Sequence, residues 1–171
     1  MNLVLIGYRG TGKSEVGALL ATRLGMPVLS MDALIIERAG MPVPEIVAAH
    51  GWTGFRDLET TIAREIAARD GVIIDCGGGV IERPENIPAL REHGLIVWLS
   101  ASVATIVRRI QGDTQRPSLT GAQSFTDEVA EVLTRRTPLY RAAAHVEIAT
   151  DALTPAEVAE RVVEIWETTR R

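Results

Sequence analysis

Gly7-Tyr8-Arg9-Gly10-Thr11-Gly12-Lys13-Ser14 follows directly on the apolar run Leu3 to Ile6 and leads into a helix-forming stretch from about Ser14 to Leu24. The octapeptide satisfies G-x-x-x-x-G-K-[ST], and a position between strand and helix is where that pattern has physical meaning. The glycines let backbone N–H groups converge on phosphate oxygens, and the following helix presents the positive end of its dipole. Lys13 is then expected to reach the β- and γ-phosphates and Ser14 Oγ to ligate Mg²⁺. Gly10, Thr11, Gly12, Lys13, Ser14 and Glu15 are accordingly read as nucleotide-binding residues.

Lys13 is also the only lysine of the chain, whose other basic residues are all arginine. A flexible ammonium is a compact point charge that fits a phosphate cradle, whereas a planar guanidinium would crowd it. A chain that otherwise uses arginine for positive charge uses lysine at this one place.

Outward from the loop, strand-like runs alternate with helical stretches: Leu3 to Ile6, Val28 to Ser30, Val72 to Asp75 and Leu95 to Leu99. Such alternation is the signature of a parallel sheet flanked by helices, and runs continuous in Val, Ile and Leu indicate strands covered on both faces. A doubly wound α/β core in a single domain, 1–171, is expected, since 171 residues suffice for one core but not for two ordinary domains. A composition of 46% hydrophobic and 23% charged residues suits such a domain and excludes a disordered chain.

The net charge of −4 gives no global attraction for nucleic acid or an anionic membrane. The N-terminal apolar run is broken by Gly7 and Arg9, too short for a signal peptide or a membrane span. A single cysteine, Cys76, excludes an intrachain disulfide and suits a reducing compartment. No nucleic acid, no membrane and a cytoplasmic location are the expectations.

Three further regions bear on a second substrate. The long, mostly helical stretch from Asp32 to Arg69, interrupted at Gly40-Met41-Pro42 and His50-Gly51, is too long for a simple crossover and reads as a substrate-binding segment, about 32–60. Gln111 to Gln123, QGDTQRPSLTGAQ, lacks helical periodicity and reads as a lid, about 111–123, between two helices. Asp75-Cys76-Gly77-Gly78-Gly79 closes the third strand with consecutive glycines, which allow close approach of a ligand at the carboxyl edge of the sheet. In Phe55-Arg56-Asp57-Leu58-Glu59, Arg56 and Glu59 lie on one helix face and can pair, although a surface salt bridge would look the same. Near the end, Thr154-Pro155 starts a helix whose Val158, Val162 and Ile165/Trp166 read as core. His50, His93 and His145 fall in no motif and read as surface or structural residues.

GYRGTGKS, the Asp32 region, FRDLE, CGGG, RPSL and RRTPLYR stand in the order and at about the spacing found in shikimate kinases, and the chain resembles that family over nearly its whole length. The resemblance implies a P-loop, nucleoside-monophosphate-kinase-like fold with a five-stranded parallel sheet. It implies ATP-dependent phosphorylation of the 3-hydroxyl of shikimate, with Mg²⁺, in aromatic amino acid biosynthesis. It further implies that Arg56, Arg136 and the segment Gly77, Gly78 and Gly79 hold the substrate, that Asp32 contacts the reacting hydroxyl, that Arg116 in the lid meets the phosphates and that Arg109 lies near the adenine. Lys13, Asp32 and Arg116 are thereby the expected catalytic residues, and a monomer is expected.

One departure stands out. The family usually carries Asp-x-Asp after the second strand, and here the sequence is Ser30-Met31-Asp32. Asp75, at the end of the third strand, is expected to compensate by orienting Mg²⁺-bound water together with Ser14; capping a turn or pairing with an arginine is the other reading of that residue. Two other functions stay open at this point: a related kinase of another polyol acid such as gluconate, and a nucleotide-binding regulator without turnover.

Overall fold

The computed structural model describes residues 1–111, 118–119 and 124–171. Its elements run β1 (Asn2–Ile6), α1 (Lys13–Leu24), β2 (Val28–Ser30), α2 (Met31–Ala39), α3 (Val43–Ala67), β3 (Ile73–Asp75), α4 (Asn86–Glu92), β4 (Gly94–Ser100), α5 (Val103–Ile110), α6 (Phe125–Ala143), β5 (Val146–Ala149) and α7 (Pro155–Thr169), with one 3₁₀ turn at Val80–Glu82. The strands form a single parallel sheet in the order β2-β3-β1-β4-β5.

Period-2 alternation divides the core into two layers. Leu3 and Leu5 pack with Ile73, Leu95 and Val97 against α1 and α7, where Val16, Leu20, Val158, Val162 and Trp166 close one face. Val4 and Ile6 pack with Ile74, Ile96 and Trp98 against the other face, beneath Phe55, Ile62, Val129 and Tyr140 from α3 and α6. Burial on both faces explains why the central strands carry no polar alternation, and the doubly wound reading holds.

The long stretch after β2 is two helices separated at Gly40, whose φ of 68° ends α2. Gly51, at φ 69° and ψ 176°, breaks α3 internally, so its second half, carrying Phe55 to Glu59, takes a new direction. Thr154 and Glu157 form a reciprocal capping box at the start of α7, as the Thr-Pro signal implies. His145 is structural: its Nδ1 accepts the Ile96 backbone N–H at 3.0 Å, joining the start of β5 to β4. No helix among the described residues is long and apolar enough to cross a membrane.

Candidate active site

Four strands deliver their C-terminal ends to one edge. β1 leads into the phosphate loop, β3 into the glycine triplet and β2 into the start of α2 with Asp32, while β4 leads to α5 and Arg109. The carboxyl edge at the point where strand order reverses is where open α/β sheets bind ligands.

The loop is wrapped around its own lysine. Lys13 is 8% exposed, and its Nζ donates to Gly7 O at 2.7 Å and Tyr8 O at 3.0 Å. Thr11 Oγ1 donates to Tyr8 O at 2.8 Å. Gly10 at φ 82° and Gly12 at φ 92° occupy left-handed backbone that other residues rarely adopt, and Gly12 is the N-cap of α1. The amides at the start of that helix therefore open into a cleft of about 1010 Å³, open mouth included, which Ser30, Asp32 and Asp75 also line. Arg109 braces the outer side, donating to Gly10 O at 3.2 Å and, through Nη1 and Nη2, to Thr150 Oγ1 at 3.1 Å and Thr150 O at 3.3 Å. A neighbouring cavity is lined by Thr11, Glu15, Arg109, Leu153 and Pro155 among others. Its loop is anchored by Asp151, which accepts from Ser102 N at 2.9 Å and Ser102 Oγ at 2.7 Å; these bonds hold its carboxyl down at about 2.

Ser14 Oγ donates to Asp75 Oδ2 at 2.6 Å. Ser30 is the register partner of Asp75 across β2 and β3, so the carboxylate absent at position 30 is present one strand away on the same edge. Ser30 itself caps α2, its Oγ accepting the Ala33 N–H at 3.3 Å. A hydroxyl and a carboxylate oxygen beside the phosphate cradle are the hard donors that Mg²⁺ takes, usually from few protein groups plus phosphates and water.

The glycine triplet packs against the charged side chains of the site. A Cβ at Gly77 would lie 2.8 Å from Glu59 Oε2 and 3.2 Å from Asp32 Oδ1, one at Gly78 would lie 3.4 Å from Arg136 Nη1, and one at Gly79 would overlap the Arg56 guanidinium. None of the three has a positive φ, so at Gly77 and Gly79 glycine is required for room rather than for backbone conformation, whereas a Cβ at Gly78 would make only ordinary contact.

Beside the triplet is a pocket of about 370 Å³ lined by Arg9, Arg56, Arg136, Trp52, Gly78 and Gly79 among others. Arg56 donates to Glu59 Oε1 at 2.7 Å, and its side chain is 13% exposed against 1% for Glu59, so the pair expected from the helix spacing is buried. Its guanidinium also lies 5.4 Å from the Trp52 ring centroid and 5.2 Å from that of Phe55. Arg136, 4% exposed on α6, donates from Nε to Glu82 Oε1 at 2.7 Å. Burial opposes the Arg136 cation, but the adjoining Tyr140 and Glu82 outweigh it and raise its pKa. Burial likewise pushes the Glu82 carboxyl up, and hydrogen bonds from Arg135 and Arg136 more than reverse this, holding it below its ordinary value. Tyr140, pushed up to about 12 by burial, remains neutral and donates to Gly78 O at 2.5 Å. Burial also drives the Cys76 thiol far up, leaving it an inert member of the wall.

The match to known proteins covers this whole arrangement. The family model described as "Shikimate kinase" matches residues 9–167. The chain belongs to the shikimate kinase family. It is 44% identical to the shikimate kinase of Nitratidesulfovibrio vulgaris, with 86% of each chain covered, and 41% identical to that of Symbiobacterium thermophilum, covering 96% of this chain and 95% of the relative. Among solved structures, the Acinetobacter baumannii shikimate kinase in complex with shikimate superposes with a TM-score of 0.92 at 31% identity, covering 98% of this chain and 93% of that one.

Within this shikimate kinase fold, Asp32, Arg56, Gly77 to Gly79 and Arg136 lie together, beside the phosphate loop. Arg116 and most of the expected lid lie outside the described residues; Ser118 and Leu119 are tied to α6, Ser118 Oγ and Leu119 N both donating to the Glu128 carboxylate. Sequence reasoning missed Arg9, which lines both the cleft and the pocket and whose buried Nη1 has no acceptor among the described residues. Its position as a charged residue inside a glycine loop was the available signal. Trp52, Glu82 and Tyr140 were missed as well, and for Glu82 no sequence signal distinguishes it from any surface glutamate.

Proposed function

We propose that the chain transfers the γ-phosphoryl group of ATP to the 3-hydroxyl of shikimate, giving shikimate 3-phosphate and ADP. The observation that carries this reading is the charge arithmetic of the pocket beside the phosphate cleft. Three guanidinium groups line it, two of them are paired with acidic side chains outside the pocket, Arg56 with the buried Glu59 and Arg136 with the half-buried Glu82, and no carboxylate is among its described lining residues. One positive charge is left over, which matches an acceptor carrying a single carboxylate.

In this reading Arg56, Arg136 and Arg9 receive the carboxylate through charge-assisted hydrogen bonds, and the glycine triplet lets the ring lie against backbone. Asp32, at the first turn of α2, orients the attacking hydroxyl and takes its proton. Lys13 and Arg116 meet the charge that spreads over the transferred group. Ser14 and Asp75 would hold Mg²⁺, which when bound neutralises phosphate charge. ATP as co-substrate with a single cysteine fits action in the cytoplasm.

A coupled ADP assay with Mg²⁺ tests the reading directly: ADP should form with shikimate and not with gluconate. Turnover with gluconate alone points to the related polyol-acid kinase, and ADP with neither acid points to a regulator. A second measurement addresses the metal. Asp75→Asn should raise the Mg²⁺ concentration for half-maximal turnover about tenfold or more, the usual effect of losing an outer-sphere carboxylate. An unchanged Mg²⁺ titration would remove Asp75 from the metal site.

A further inference from the structure

The two residues at the end of the 3₁₀ turn after the glycine triplet reach in opposite directions. Arg83 holds α3, with Nη1 at 2.6 Å from Asp57 Oδ1 and Nη2 donating to Thr53 O at 3.3 Å. Glu82 holds α6, accepting from Arg135 Nη1 at 2.5 Å and from Arg136 Nε at 2.7 Å, one bond to each carboxylate oxygen. The turn is thereby tied to both helices that carry a pocket arginine.

The two halves of the Glu82 contact differ in kind. Arg135 is 54% exposed along its side chain, and an ion pair of that sort contributes little. Arg136 is 5% exposed, and its guanidinium lies 5.6 Å from the Tyr8 ring centroid. A guanidinium offers N–H groups along more than one edge, and a carboxylate ligand takes two of them in parallel. With Nε engaged by Glu82, the terminal nitrogens remain, and Nη1 is the one that lies next to Gly78.

We propose that Glu82 is a positioning residue for the acceptor: it holds Arg136 by the Nε edge so that the terminal edge faces the substrate carboxylate. The inference rests on the reading of Arg136 as a carboxylate ligand. It goes beyond that reading by assigning the orientation of Arg136, and hence part of the selection for a carboxylate, to a residue that does not touch the substrate. Without Glu82, the Nε edge loses its acceptor, and Tyr140 and the Tyr8 ring alone are left to set the orientation of the guanidinium.

Steady-state kinetics with both substrates varied decides the matter. Glu82→Ala should raise the KM for shikimate about tenfold, the scale of one misdirected charge-assisted bond, while the KM for ATP stays within about twofold. Glu82→Gln should recover most of the loss, because its amide oxygen still accepts the Nε–H, and being nearly isosteric it also guards against failure to fold. In an Arg136→Ala background, Glu82→Ala should have no added effect on the KM for shikimate. An unchanged shikimate KM in Glu82→Ala, an equal rise for both substrates, no recovery in Glu82→Gln, or full additivity with Arg136→Ala would each overturn the proposal. If Arg136→Ala by itself leaves the shikimate KM unchanged, the carboxylate role of Arg136 fails and the positioning role falls with it. If Arg136→Ala raises that KM and Glu82→Ala does not, only the positioning role is refuted.

Discussion

Lys13→Met should lower kcat by about a thousandfold or more, the scale on which removing a preorganised charge from a phosphoryl-transfer site acts. Methionine is unbranched, one atom shorter and uncharged, so the loss reads out mainly electrostatics rather than shape. The same substitution also removes two hydrogen bonds from the ammonium to Gly7 O and Tyr8 O. Charge-assisted bonds of that kind contribute about 1.5–3 kcal/mol each, so a lower Tm is expected alongside the lost turnover. Lys13→Arg should fail as well, because a buried loop closed around an ammonium has no room for a planar fork. Discontinuous measurement of shikimate 3-phosphate formation, with a thermal melt of each variant, checks both effects. A kcat within tenfold of the parent would mean that Lys13 serves the loop and not the transferred phosphate.

Asp32→Asn has the second-largest expected effect, a fall in kcat of about a hundredfold to ten-thousandfold, as for a lost general base. The amide keeps the shape and can still hydrogen-bond the acceptor hydroxyl, so the KM for shikimate should move far less than kcat. The placement supports this split. Asp32 sits in the first turn of α2 and lines the cleft beside the phosphate loop, its Oδ1 3.2 Å from where a Cβ on Gly77 would stand. Retention of kcat with a raised KM for shikimate would instead make Asp32 a binding group only.

Those two residues were legible in the sequence for different reasons. Lys13 belongs to a continuous octapeptide whose strand and helix flanks are visible by composition. Asp32 acquires its role only through the family resemblance, since one carboxylate near a strand end has no signature of its own. The fifth strand was not legible from its residues at all. Val146–Ala149 is a sheet edge on which only Ile148 is buried, so it lacks the continuous apolar run that betrayed the central strands. The Arg56–Glu59 pair was legible because a helix places residues three apart side by side, but its burial was not, because the face of α3 that carries it is chosen by packing around Gly51 and against the glycine triplet.

By itself, the sequence determined the phosphate loop with its lysine, the parallel α/β core, the helical spacing of Arg56 and Glu59, and the family. Only the tertiary structure decided which charges meet. Ser14 finds Asp75 across 61 positions and Arg136 finds Glu82 across 54. Local pattern reports neighbours within one helical turn or along one strand, because backbone geometry repeats over those distances. Pairing between segments depends instead on sheet order and on which helix face is buried, and both are set by the packing of the whole chain.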